Sequence, residues 1–290
     1  MKKILLPVDF SARSAAAAKY AEALACRSKA DLTVLHVNPA CARYAEVNDI
    51  SLPPAFALEI AWSELRQQEA TEKMTDFVSC HLRGIPVTPC VRTGDAAKVI
   101  VEQAHATKAN LIVMSTHGFG GFRRMLLGST TAKVLHDAGC PVFTTAHVES
   151  APATIPPFRN ILCAVDFGPQ SEAVVRWADE FTRSTGAQLF ISHVVPFIPM
   201  GQWGYCDVDL SVAMRKDAEE KAHLLIESTG AEAKLLVETG LVVATLAGLA
   251  SEKQADLIVI GRHHQSGMLG RLRDTAYGII RESPCPVVSV

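Results

Sequence analysis

No run of five or more like charges occurs in this chain, no two cysteines stand at Cys-x-x-Cys spacing, and no apolar stretch approaches a membrane span. Each absence removes a class of function. A formal net charge of -2 without basic runs lacks the electrostatic footprint of a general nucleic-acid binder, so no nucleic-acid partner is expected. The cysteines at 26, 41, 80, 90, 140, 163, 206 and 285 are scattered, and they read as free thiols packed like small hydrophobes rather than as a metal or disulfide framework. A membrane helix needs about 20 apolar residues, which excludes a membrane partner of that kind. In the opening MKKILLPVDF, Asp9 interrupts the apolar run after five residues. A signal peptide needs about 7–15, so a cytoplasmic protein is expected.

What is present is apolar filling and a repeat. Hydrophobic residues make up 49% of 290 positions, enough for two domains of ordinary size. Residues 3–39 align without a gap on residues 160–196, and Ile4/Ile161, Val8/Val165, Asp9/Asp166, Phe10/Phe167, His36/His193, Val37/Val194 and Pro39/Pro196 coincide at an offset of 157. A second block, 92–118, lies on 238–264 at an offset of 146, and both copies close with Cys-Pro-Val, at 140–142 and 285–287. Shared blocks in one order, with a length change confined to one segment, indicate tandem duplication. Between the copies VESAPATIPPF carries three prolines and reads as an extended linker. The expected boundaries are a domain over 1–147, a linker over 148–157 and a domain over 158–290.

Within one copy the pattern alternates. Ile4–Val8 is a short apolar run of the kind buried on both sheet faces, followed by an alanine-rich helix from Ser11, its N-cap, to about Ala30. Strands follow at Leu32–Val37, Val87–Arg92, Leu111–Met114 and Val142–Ala146, with helices over 57–83, 96–108 and 130–138. Strand–helix alternation predicts right-handed crossovers and an open parallel sheet, with ligands held beyond the carboxyl ends of the strands.

The loop after the fourth strand, STHGFGGFRRMLLGST (115–130), carries four glycines and runs into a helix at Ser129-Thr130. Glycine lets backbone amides approach an anion, and a helix N-terminus favours negative charge. The loop is neither a Walker A sequence nor the dinucleotide G-x-G-x-x-G, because Arg123 stands where a third glycine is needed. Arg123 and Arg124 are either phosphate counter-charges or solvated helix residues.

Taken together, PVDFS, LHV, CPV and this loop resemble the universal stress protein family, and specifically its members with two such domains in one chain. The family's ATP signature is G-x-x-G, nine residues, then G-[ST]; this sequence reads Ser115-x-x-Gly118, nine residues, then Gly128-Ser129. The resemblance implies two tandem flavodoxin- or Rossmann-like α/β domains, each an open five-stranded parallel sheet of order 3-2-1-4-5 with helices on both faces. It further implies ATP, with Mg²⁺ brought by the nucleotide: Asp9 and Val37 at adenine, Pro7 near the ribose, and Gly118, Gly128, Ser129 and Thr130 on the phosphates. Ser115 departs from the family's first glycine, and a loop needing positive φ there would be strained by serine.

The second copy keeps Gly261 but has His264 at the second glycine. Asp274-Thr275, or Arg273-Asp274 when aligned back from Cys285, replaces the Gly-Ser pair, and Ala164 replaces Pro7. A carboxylate beside a phosphate position repels it, so this copy is expected not to hold ATP in the family's manner. His36 and His193 read as hydrogen-bonded to backbone; His117, the His263-His264 pair and the Arg262, Arg271 and Arg273 cluster carry no complete metal or catalytic set. The expected function is a stress-response regulator in which ATP in the first domain tunes conformation or partners. A scaffold without nucleotide and a slow ATP hydrolase are the alternatives. The last strands, Val142–Ala146 and Val287–Val290, are expected to pair within the chain, with a homodimer of chains beyond that.

Overall fold

A strand whose residues are all buried can exist only where helices cover both faces of its sheet, and Lys3–Val8 (β1) is buried from Ile4 onward. In the computed structural model the described residues are 1–40, 54–116, 127–145, 155–196, 208–262 and 271–290, with side chains described for all but 54–61, 208–211 and 271–274. They form two compact units. The first contains β1, α1 (Ala12–Ser28), β2 (Asp31–Pro39), α2 (Pro54–His81), β3 (Val87–Gly94), α3 (Ala96–Thr107), β4 (Leu111–Ser115) and α4 (Ser129–Asp137). Its strands run parallel in the order β3-β2-β1-β4.

The second unit contains β5 (Val142–Thr145), β6 (Asn160–Ala164), α5 (Ser171–Thr185), β7 (Gln188–Pro196), α6 (Val208–Thr229), β8 (Ala233–Gly240), α7 (Val242–Glu252), β9 (Leu257–Ile260), α8 (Arg271–Glu282) and β10 (Val287–Ser289). The second copy's own strands are parallel in the order β8-β7-β6-β9-β10, the 3-2-1-4-5 arrangement read from the sequence. The first copy's last strand, β5, closes this unit's sheet by pairing antiparallel with β10, Phe143 opposite Val288. Thr144 Oγ1 donates to the Val287 carbonyl at 3.0 Å across that pairing.

Local chemistry sets the elements. Ser11 caps α1 by accepting from Ser14 N, and Lys29 ends it in the left-handed region with its amide on the Ala25 carbonyl. Ala15 to Ala18 and Ala21 are buried to within 6% exposure, so α1 presents a flat, small-residue face to the sheet. Proline is tolerated in the first helical turn, and α2 begins at Pro54 rather than after it. The Thr-Gly shared by the two copies also has a packing cause. A Cβ at Gly94 would lie 2.8 Å from Val99 Cγ2, and one at Gly240 would lie 2.5 Å from Thr245 Oγ1. In both copies the strand end passes directly under the next helix.

Candidate functional site

The carboxyl ends of β1, β2 and β4 lie side by side in the first unit. Register places Pro7 opposite Leu35 and Val8 opposite His36, and the β1–β4 pairing from Ile4↔Leu111 carries Ser115 to the same edge. Pro7 is buried, and Asp9, Val37 and Ser115 are half-buried. Helix α4 is fastened to this edge by two bonds that the sequence did not announce. Thr131 Oγ1 donates to the Ser115 carbonyl at 3.1 Å, and Gly128 N donates to the Thr116 carbonyl at 2.9 Å. Ser129 and Thr130 then open α4, and Gly128 provides no side-chain cap. The first amides of a helix have no acceptor within it, so those of Ser129 and Thr130 need one from outside. By contrast, α1 and α3 carry side-chain caps, Ser11 and Asp95.

Ser115 does not carry the strain that a positive φ would impose, since it is absent from the left-handed residues of the described chain. The second copy shows what the glycine does instead. A Cβ at Gly261 would meet Val174 Cγ2 at 3.2 Å, and the position matching Val174 in the first copy is Ala17. Ala17 is wholly buried, and its side chain is two methyl groups smaller than that of Val174. The serine and the alanine therefore go together, as do the glycine and the valine.

Asp9 is tied to the start of α1. Its Oδ1 accepts from Ser11 N at 3.0 Å, from Ser11 Oγ at 2.6 Å and from Ser14 Oγ at 2.5 Å. One carboxylate oxygen is thus fully used in capping. Asp166 does the same more loosely, accepting from Gly168 N at 2.8 Å and Ser171 Oγ at 3.3 Å. Phe10 and Phe167 follow these aspartates with φ of 63° and 59°, each stacked on the strand histidine at 4.3 Å. Those histidines, His36 and His193, bond through Nδ1 to the Val8 and Val165 carbonyls at 2.8 Å. The acceptor is a carbonyl, so Nδ1 carries the proton. Their role is to hold adjacent strands.

The second copy differs from the first in backbone as well as in side chains at the start of its last helix. Helix α8 starts at Arg271, whereas the Cys-Pro-Val match aligns the start of α4 with Asp274. The helix has grown by three residues, and the amides of Asp274 and Thr275 fall where intrahelical acceptors exist. Gly118, His117, Arg123, Arg124, His263 and His264 lie outside the described residues, and Arg271, Arg273 and Asp274 are described by their backbone alone. No group of three metal-ligating side chains occurs among the described residues, and none of their helices is long and apolar enough to cross a membrane.

Two parallel-sheet copies, each with helix starts gathered beyond the strand ends, define a tandem doubly wound α/β protein. The Universal stress protein family profile matches residues 1–145 and 157–290, and the chain belongs to that family. A universal stress protein of Mycolicibacterium smegmatis is 26% identical over 99% of this chain and 96% of its own. One from Methanocaldococcus jannaschii is 34% identical over 49% of this chain and 79% of its own. The crystal structure of a universal stress protein from Archaeoglobus fulgidus covers 99% of this chain and 95% of its own at 23% identity and a TM-score of 0.64, a likeness of fold.

Proposed function

We propose that the first copy binds ATP, with Mg²⁺ carried on its phosphates, and that occupancy tunes the conformation or partners of a cytoplasmic stress-response protein. The observation that supports this best is the uncapped start of α4 beside the ends of β1 and β2. Anions are favoured at such a terminus by its oriented amides and dipole. Gly128 keeps the approach free of a side chain, and the hydroxyls of Ser129 and Thr130 add donors. Val37 and Asp9 would meet the adenine and Pro7 the ribose; the triply bonded Asp9 Oδ1 leaves that carboxylate's other oxygen for the task. Ser115 and Gly118 complete the loop side.

The test is mass spectrometry of whatever co-purifies with the chain, with calorimetric titration of ATP–Mg²⁺ into wild type and Gly128→Asp. One nucleotide per chain in the wild type and none in the variant would support the reading. No nucleotide and no heat in either would overturn it in favour of a scaffold. Two nucleotides per chain would overturn the loss assigned to the second copy.

A further inference from the structure

A cavity of about 350 Å³ lies in the second unit, at the carboxyl ends of β6, β7 and β9 under α5, α7 and α8. Packed interiors leave few voids larger than a water, whose share of volume is about 30 Å³, so this is not a packing fault. The volume sits at the lower end of the range of about 300–1,000 Å³ for small-molecule sites. Its walls are apolar: Val174, Leu246, Ile260 and Ile279 line it, each 2–7% exposed. Its polar lining residues are Asp166, Gln170, Ser171, Ser192, His193 and Thr275, and no lysine or arginine is among the described lining residues.

Gln170 supplies the further clue. Its Oε1 is buried and has no hydrogen-bond partner among the described residues, although Gln170 occupies the N-cap position of α5. A buried acceptor without a donor costs about 1–3 kcal/mol, and such an atom is commonly satisfied by something that binds there. Asp166, an exposed carboxylate, also lines the cavity and disfavours an anion there.

We propose that the second copy is a binding site for a compact, uncharged and unphosphorylated small molecule with an apolar body and an N–H or O–H donor. The duplicated domain has kept the topological position of the ligand site and exchanged the chemistry of its occupant. Three features act in one direction: the helical extension of α8 withdraws the amides a phosphate would need, Val174 and its neighbours favour an apolar body, and Gln170 Oε1 requires a donor. The inference stands on the second unit alone and does not depend on ATP in the first.

Three probes of one size separate these features in the full chain: 4-methylphenol (neutral, with a donor), toluene (neutral, without one) and 4-methylbenzoate (anionic). Methyl-labelled nuclear magnetic resonance follows Leu246, Ile260 and Ile279 in the second unit and Ile100 and Val134 in the first. The phenol is expected to shift the second-unit methyls saturably and to bind at least tenfold more tightly than the benzoate. Gln170→Leu, which removes no side-chain cap, is expected to weaken the phenol by about threefold to tenfold and leave toluene unchanged. Absence of saturable shifts with every probe overturns the proposal, as does equal or tighter binding of the benzoate. An unchanged phenol affinity in Gln170→Leu also overturns it. Shifts confined to Ile100 and Val134 would place the binding in the other unit and overturn it as well. A failure of ATP to bind would be read at those first-unit methyls, separately from these outcomes.

Discussion

Replacing Gly261 by serine should destabilise the second unit, and removing the side chain it meets should erase most of that effect. A Cβ at Gly261 would lie 3.2 Å from Val174 Cγ2, inside the optimum of about 3.5–4.0 Å for carbon pairs. Val174 is 2% exposed on α5, so relieving the contact takes an off-rotamer side chain or a shift of the helix. Overpacking of this kind costs about 1–2 kcal/mol. Val174→Ala alone removes two methyl-sized groups, about 1.6 kcal/mol of transfer free energy, and about 2 kcal/mol once the residual cavity is added. In the double variant the serine enters the space the valine vacates, so its loss should be near that of Val174→Ala alone. The expected coupling is about 1–2 kcal/mol, where distant pairs add within about 0.5 kcal/mol. Trp177 lies on α5 one turn from Val174, and with Trp62 and Trp203 replaced by phenylalanine its fluorescence reports urea unfolding of this unit. Additive losses, or a silent Gly261→Ser, would refute the steric account of why one copy has glycine and the other serine.

Other consequences can be checked more briefly. Ser11→Ala should cost about 1 kcal/mol in the first unit, since it removes the N-cap of α1 and one of the three donors to Asp9 Oδ1, and thermal unfolding measures it. Burial pushes the Cys163 thiol up to about 12 and the Cys285 thiol up to about 11. Both groups hold their protons in the folded state above pH 9, where the unfolded chain loses them, so the second unit should lose stability as pH rises from 9 towards 12. Cys163→Ala should flatten that slope in alkaline denaturation. At pH 8 iodoacetamide should label the exposed Cys26 and Cys80 well before Cys163, as read by peptide mass spectrometry. Labelling of Cys163 at a rate equal to Cys26 would contradict its burial.

Much of the architecture was legible in the residues because it depends on period and repetition. The apolar run at Ile4–Val8, the cap at Ser11 and the repeated blocks each report a local cause, and the observed β1, α1 and sheet order follow from them. Element ends were less legible. The helix expected over 57–83 runs Pro54–His81, because proline is compatible with the first turn and does not have to precede it. The site divided in the same way. Its strand ends could be read from the apolar runs, whereas the Thr131–Ser115 bond required the fold to bring α4 back over β4. The pairing of Ala17 with Ser115 joins positions far apart in sequence, and no spacing rule reveals it. The three-residue extension of α8 escaped as well, since substitutions in an aligned loop do not show where the helix begins.

The matched pairs at the floor of the two copies also constrain how the chain could have diverged. A serine entering at position 261 while Val174 is present meets its side chain closely, whereas the helix position matching Val174 in the copy that has Ser115 is Ala17. The two sites are therefore epistatic, and the order of substitutions matters. Starting from glycine and valine, the valine must shrink before the glycine can be replaced without loss. Once serine is in place, the valine can return only after the serine has reverted to glycine. The two copies thus connect only through the glycine–alanine combination, and grafting the first copy's serine onto the second should cost stability unless Val174 shrinks with it.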